Sequence, residues 1–336
     1  MTPHFIPALV NGDFQDPGLY LDFLFARRAI LFDLGDLAPL SAKKLLRISD
    51  VCVSHTHIDH FNGFDRLLRI CLGRDKGMRL FGPPHFLRQL ESRLASYSWN
   101  LIASYPTEFI ITAAEAAPDG TIRSAVFSSR KAFARESEEE RSALDGILLD
   151  EENLRIRYAF LEHNTTTLGF ALEEKVHVNI MKNKLEELGV PVGPWLAELK
   201  RAVLAGAGDD TVVRAVWKER GEVRERHFLL GELKEKTLSV VRGEKVAYVT
   251  DVSFSETNRE RIVELARGAD YFFIEATFLD SERERAHKRC HLTARQAGEL
   301  ARAAQVARVI PFHFSPRHLG EENLLRQEVE AAFRGE

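Results

Sequence analysis

The residues Ser54-His55-Thr56-His57-Ile58-Asp59-His60 place three imidazoles and a carboxylate within one short run. Imidazole nitrogen and carboxylate oxygen are the donors that zinc, manganese and iron accept in proteins. The run follows the apolar stretch Val51-Cys52-Val53, so it leaves a short buried strand and turns. A turn can aim alternate side chains at different ions, which a regular helix cannot do at this spacing. A filled centre needs more donors than this run supplies. Further ligands should also sit at strand ends, where side chains converge. His163 follows the apolar run Tyr158-Ala159-Phe160-Leu161, Asp251 follows Val246 to Val249, and His313 follows Val309-Ile310-Pro311-Phe312. Taken singly, each reads equally well as a turn or cap residue.

Alternating strands and helices must position these groups. The apolar runs Leu21 to Phe25 and Ala29 to Phe32 flank Arg27-Arg28 as in a hairpin, and Asp33-Leu34-Gly35-Asp36 closes the second run as a polar turn. Ser41 caps a short helix through Leu46. Helices are expected over Asp65 to Leu72, His85 to Ser96 and Thr293 to Ala304, with a strand and turn at Leu80 to Pro84. Strands are expected at Val246 to Val249, Tyr271 to Ile274 and Arg308 to Phe312. Between Lys182 and Ala202 two helices are separated by the Gly/Pro cluster Gly189 to Pro194. The acidic stretch Glu136 to Glu152, net -7, reads as a solvated insertion loop or helix within residues 125–152. No repeat or low-complexity linker interrupts the pattern, so one α/β domain over residues 1–336 is expected.

Composition removes whole classes. The chain has 336 residues, 45% of them hydrophobic and 29% charged, enough for a packed core and against disorder. It has no apolar run of about 18 residues, so no membrane helix is expected. Arg27 is the first basic residue, which argues against a secretory signal. Cys52, Cys71 and Cys290 are odd in number and share no C-x-x-C spacing. They read as reduced thiols of a cytoplasmic protein. The net charge of -4 weighs against a polyanionic partner. That number is an average, because Arg66–Arg93 and Ser281–Arg317, which flank candidate ligand loops, are basic on balance. His177, His227, His287 and His318 receive no role and read as ordinary surface histidines.

Together the His55 to His60 run, His163, Asp251 and His313 resemble the metallo-β-lactamase superfamily. Within it the chain resembles ribonuclease Z, the endonuclease that trims the 3′ end of precursor tRNA. Glu275-Ala276-Thr277-Phe278, His291-Leu292-Thr293-Ala294-Arg295-Gln296-Ala297 and His313-Phe314-Ser315-Pro316-Arg317 match three of that family's segments in order and spacing. The segment Gly189 to Trp195 resembles the turn of the family's tRNA-clamping arm, so 182–204 is an arm candidate or a simple helical hairpin. The chain departs from the family at Ala8 to Asp13, at Leu34 to Pro39 and at Ile274, where other residues are usual.

The resemblance implies an α/β fold, the four-layer αβ/βα sandwich, with two Zn2+ ions, or Mn2+ or Fe2+, at one edge. His55, His57 and His163 would hold the first ion, Asp59, His60 and His313 the second, and Asp251 would bridge them. Two such ions can hold a hydroxide for in-line attack on a phosphodiester. Asp59 would orient or deprotonate the attacking water, and His291 would protonate the leaving oxygen. Glu275 would fix the His291 tautomer, although a structural salt bridge serves equally as its reading. Arg317 is the substrate-phosphate candidate. Precursor tRNA or another phosphodiester substrate is the implied partner, and a homodimer is implied too, since family members with an arm usually dimerise. The alternatives are a phosphodiesterase of the same fold acting on a small or cyclic substrate, and a nucleic-acid-binding protein without catalysis.

Overall fold

The computed structural model describes residues 5–24, 26–143, 145–219 and 221–336. Phe25, the far end of the first expected apolar run, lies outside them. The first sheet has eight strands in sequence order. They are β1 (Phe5–Leu9), β2 (Leu19–Phe23), β3 (Ala29–Phe32), β4 (Ile48–Cys52), β5 (Lys76–Gly82), β6 (Phe109–Ala116), β7 (Thr121–Ser128) and β8 (Arg135–Ser142). The hairpin of β2 and β3 is antiparallel, and β3 to β6 run parallel. Parallel neighbours need crossovers, and the helices Ala42–Arg47, Phe64–Cys71 and Phe86–Ala95 provide them. Ser41 caps the first of these by accepting the Lys44 N–H at 3.3 Å.

After β8 come β9 (Ile147–Asp150), β10 (Leu154–Glu162), β11 (Thr166–Glu174), β12 (Val176–Ile180), β13 (Val212–Glu219), β14 (Glu222–Leu229), β15 (Leu238–Arg242), β16 (Lys245–Val249), β17 (Tyr271–Glu275) and β18 (Val309–Phe312). The second sheet has the order β18-β17-β16-β11-β10-β9. Strands β16, β17 and β18 are parallel and almost wholly apolar, as strands covered on both faces must be.

The alternation of β3 shows how the layers form. Ala29 and Leu31 join a core with Leu67, Leu68, Phe86 and Leu90 from the helices outside the first sheet. Phe32 points the other way and meets Phe170 and Tyr248 of the second sheet, with ring centroids 5.3 and 5.8 Å apart. A further core packs Val249, Phe272 and Ile274 against Ile262, Leu300 and Val329 from the helices outside that sheet. Helix, sheet, sheet and helix therefore stack as the expected four-layer sandwich.

One domain over 1–336 was the expectation; instead the chain divides into two compact bodies. The larger contains the stretch up to Leu149, Ile156–Leu172 and Lys245–Glu336, and the smaller contains Asp150–Arg155 and Glu173–Glu244. The smaller body has a core of its own, in which Trp195 and Leu199 pack with Val178, Val213, Leu230 and Leu233. The segment 182–204 supplies two helices to that core, Lys182–Glu187 and Trp195–Leu204, and Trp195 Nε1 donates to the Pro191 carbonyl at 3.1 Å across the break.

The acidic stretch is also different from expectation. It forms the edge strand β8 and then β9 rather than a loop or helix. Strand β8 pairs with β7 through Thr121↔Ser142 to Phe127↔Arg135. Its charged side chains occupy both faces, which erases the two-residue hydrophobic period by which strands are recognised. Charges of this kind on an edge also discourage pairing with another chain.

Gly63 ties the metal-ligand run to this frame. Its N–H donates to the Leu34 carbonyl at 2.8 Å, and a methyl group there would collide with the Gly35 carbonyl and the Leu37 side chain. Gly63→Ala is predicted to lower stability by about 1–3 kcal/mol through this overpacking. The check is a lower urea midpoint with an unchanged denaturant slope; an unaltered midpoint would disprove the close fit.

Candidate metal centre

The centre is built inward from Asp33, at the end of β3. Asp33 is fully buried and takes a left-handed backbone conformation with φ 59°. It accepts the Ser54 N–H at 2.6 Å, the Ser54 hydroxyl at 2.8 Å and the Tyr248 hydroxyl at 2.9 Å. The His60 Nδ1 lies 3.0 Å from the same carboxylate, which leaves Nε2 free to face the site. One side chain thus fixes both ends of the His55 to His60 run. The run leaves β4, passes His57 as the residue before the short helix Ile58–Phe61, and turns back through Asn62.

His163 is set from another direction. Its Nδ1–H donates to the Cys290 carbonyl at 2.7 Å, so Nε2 is the free nitrogen. Asp251 follows β16 and is 3% exposed. Its Oδ2 lies 3.8 Å from His55 Nε2, 3.7 Å from His163 Nε2 and 3.5 Å from His60 Nε2. These separations exceed a hydrogen bond. They match the spacing of two donors sharing one ion, roughly 3.4 Å for tetrahedral ligands about 2.1 Å from zinc. His313, after β18, brings Nδ1 to 3.0 Å from Asp251 Oδ1 and Nε2 to 3.6 Å from Asp59 Oδ2.

The structure therefore gathers all seven expected ligands. His55, His57, His163 and Asp251 form one donor group, and Asp59, His60 and His313 form another, each with donor atoms within 4.8 Å. A third group, Asp251, His291 and His313, includes the expected proton donor. His60 Nε2 and His313 Nδ1 are buried without a hydrogen-bond partner. Buried nitrogens that face carboxylates without a well-formed hydrogen bond are what a bound cation would satisfy. The residues fit divalent metal ions.

The electrostatics agree. Burial, assisted by the neighbouring His60, pushes His55 down to about 2, so it is a neutral imidazole. Burial also lowers His163. Burial opposes charge on His313, but the Asp251 carboxylate overrides it and raises His313 to about 10. Burial likewise opposes charge on His60, and Asp251 and Asp33 again prevail and hold it well above the usual imidazole value. Asp251 is buried, which favours its neutral form, yet His313 and His60 hold it well below the usual carboxylate range. The carboxylates thus favour positive charge at these two imidazoles, the position where bound cations would supply it.

Glu275 ends β17 fully buried. It accepts the Val252 N–H at 2.7 Å, the Thr277 hydroxyl at 2.5 Å and the Leu292 N–H at 3.3 Å. His291 Nδ1 lies 3.1 and 3.2 Å from its two oxygens. Burial disfavours the imidazolium, but Glu275 outweighs it and raises the His291 pKa. Thr293 caps the following helix with Gln296 in a reciprocal capping box. Arg317 sits on the turn after His313, exposed, with Nε 3.2 Å from Glu282.

Sequence reasoning assigned Asp33 to a turn and missed its part. The signal was present: a lone Asp directly after a buried strand, as at Asp251. His177 and His318, read as surface residues, are 6% and 5% exposed. His177 faces Glu174 at 3.0 Å, and His318 lies between Glu282 and Glu321 at 2.7 and 2.9 Å.

A four-layer sandwich with this donor set defines the class. The chain has the metallo-β-lactamase fold, and residues 220–314 match the beta-lactamase superfamily domain. Within that class it is similar to ribonuclease Z of Deinococcus radiodurans, 29% identical over 86% of this chain and 83% of that protein. It is 26% identical to ribonuclease Z of Enterococcus faecalis over 93% of this chain and 85% of the relative. The metallo-β-lactamase fold protein YhfI from Bacillus subtilis superposes with a TM-score of 0.54 at 14% identity, covering 98% and 95% of the two chains. The short form of human tRNase Z gives 0.51 at 15% identity, with 94% and 93% covered.

Asp33→Asn keeps the shape but loses the carboxylate that orients His60. It is predicted to weaken metal binding roughly 10–100-fold, the usual cost of losing such a partner. Competition with a chromogenic chelator measures this, and wild-type affinity in the variant would refute the role.

Proposed function

We propose that this chain is a metal-dependent endoribonuclease that removes the 3′ extension of precursor tRNA. The observation that carries the proposal is one cluster in which both donor groups meet Asp251 and the His291–Glu275 pair stands beside them. The similarity to ribonucleases Z supplies the substrate class. Two zinc ions suit the all-nitrogen-and-oxygen set, with manganese or iron as substitutes. His55, His57 and His163 would hold one, Asp59, His60 and His313 the other, and Asp251 both. Support for the shared role comes from its Oδ2, which lies 3.5–3.8 Å from imidazoles of both groups. When bound, such ions polarise a phosphoryl oxygen and lower the pKa of water to near neutrality.

The chain's own groups do the rest. Asp59 keeps its side chain 37% exposed, unlike the buried Asp251, so an oxygen remains open to water. It accepts the water's proton or aligns its attack. His291 donates a proton to the departing 3′-oxygen. Glu275 acts as a positioning residue by holding His291 Nδ1, which turns Nε2 outward. No helix among the described residues is long and apolar enough to cross a membrane. We place the activity in the cytoplasm, where precursor tRNA is the partner.

The test is cleavage of 3′-extended precursor tRNA by wild type, Asp59→Ala and His291→Ala, with bound metal measured in each. Both variants are expected to lose at least about 100-fold in kcat, the scale of lost general acid–base catalysis. His291→Ala should retain its metal. Intact precursor after incubation with metal-loaded wild type, alongside hydrolysis of bis(p-nitrophenyl) phosphate, would defeat the tRNA assignment and leave a small-diester hydrolase.

A further inference from the structure

A cavity of about 330 Å³ opens beside the catalytic imidazoles, with His291 and His313 in its wall. Three guanidinium groups line it, Arg285, Arg289 and Arg317, and no acidic residue does. Arg285 and Arg289 stand four residues apart on the helix Arg283–Arg289, so they share one face of it. Arg317 comes from the turn Pro316–His318.

Their fixation is unequal in a telling way. Glu282 lies outside the cavity wall and is only 20% exposed. Arg285 Nε and Arg317 Nε both lie 3.2 Å from its Oε1, and His318 Nε2 lies 2.7 Å from Oε2. One carboxylate thus anchors two arginines through their Nε edges. Arg289 has no acidic partner among the described residues. A wall that concentrates cations, anchors two of them from behind and leaves the third free is built for an anion.

We propose that this cavity is a subsite for the phosphate immediately upstream of the scissile one, together with its ribose. The proposal rests on the endoribonuclease reading above, because it uses the role of His291 to set direction. His291 protonates the leaving 3′-oxygen, which belongs to the nucleotide on the upstream side. The cavity adjoins His291, so the nucleotide it takes is the one carrying that oxygen. A guanidinium fork matches two phosphate oxygens at once, which an ammonium cannot do. Arg289 is therefore the principal contact, with Arg285 beside it. The subsite explains how a site with general diesterase chemistry would prefer a polynucleotide over an isolated diester: only the former offers a second phosphate.

The experiment uses full-length, metal-loaded protein and 3′-extended precursor tRNA carrying one neutral methylphosphonate, placed either one linkage upstream or one linkage downstream of the cleaved bond. Wild type should lose roughly tenfold in kcat/KM with the upstream substitution, the scale of one charge-assisted hydrogen bond, and little with the downstream one. Arg289→Gln should lose a similar factor on natural RNA and then be indifferent to the upstream methylphosphonate. Arg289→Lys should recover only part, since it keeps the charge but loses the fork. Arg289 is exposed and pairs with no acidic side chain among the described residues, so folding is not at stake. Losses from Arg289→Gln and the upstream methylphosphonate that simply multiply would overturn the subsite. So would equal losses at the two linkages. Failure of wild type to cleave the unmodified RNA would instead remove the underlying reading, and the subsite with it.

Discussion

A carboxylate buried among imidazoles is the constraint on which this structure turns. Asp251 lies within 4 Å of nitrogens from His55, His60, His163 and His313, residues that arrive from three separate stretches of chain. Burying one charge without compensation costs several kcal/mol, and crowding neutral nitrogens around it leaves lone pairs facing lone pairs. Protons can relieve only part of this. The carboxylates raise the pKa of His60 and His313, while burial lowers that of His55. Divalent cations held by the two donor groups would relieve the rest, because they would give these nitrogens and carboxylate oxygens a common kind of partner. The two sheets bring strand ends to one edge, and those ends deliver the donors.

The groups behind the donors bear as much of the geometry as the donors themselves. Asp33 orients His60, the Cys290 carbonyl orients His163, and Glu275 orients His291. Asp33, Cys290 and His313 all adopt positive φ, at 59°, 59° and 60°. A left-handed backbone is unfavourable for residues with a Cβ, so its recurrence at one site reflects an environment that imposes it. Cys290 shows the use of such a bend. It ends the helix Arg283–Arg289, aims its carbonyl at His163, and lets His291 follow at once toward Glu275. One backbone reversal thereby positions two imidazoles, His163 and the proposed proton donor His291.

Most of the centre was legible in the sequence because its donors follow apolar runs. His163, Asp251 and His313 each come at or just past the end of an apolar run that reads as a strand. Asp33 obeys the same rule but sits beside Gly35 and Asp36, so its turn chemistry masked its role. Strand β8 was illegible for a different reason: a strand exposed on both faces has no hydrophobic alternation to read, and RESEEERS carries almost none. The smaller body was hidden because its boundary is made of long-range contacts. Strands β12 and β15 pair across about sixty intervening residues, through Val176↔Arg242 to Ile180↔Leu238, and no local composition shift marks either end.

The net charge of -4 illustrates why an average misleads about a polyanionic partner. Strand β8 is the outer strand of its sheet, four strands from β4, which launches the metal-ligand run. At about 4.8 Å per strand that is roughly 19 Å. Exposed charges are largely screened beyond about 8 Å at physiological ionic strength. The glutamates of β8 therefore protect their own edge without repelling a phosphate at the centre. Arg285, Arg289 and Arg317 line the cavity beside His291 and His313, where a bound phosphate would meet them at contact distance and screening would be weak. Affinity for a polyanion is governed by which charges can reach its phosphates, and the charged side chains that line the cavity are cations. The sum over the chain adds groups that the substrate never meets.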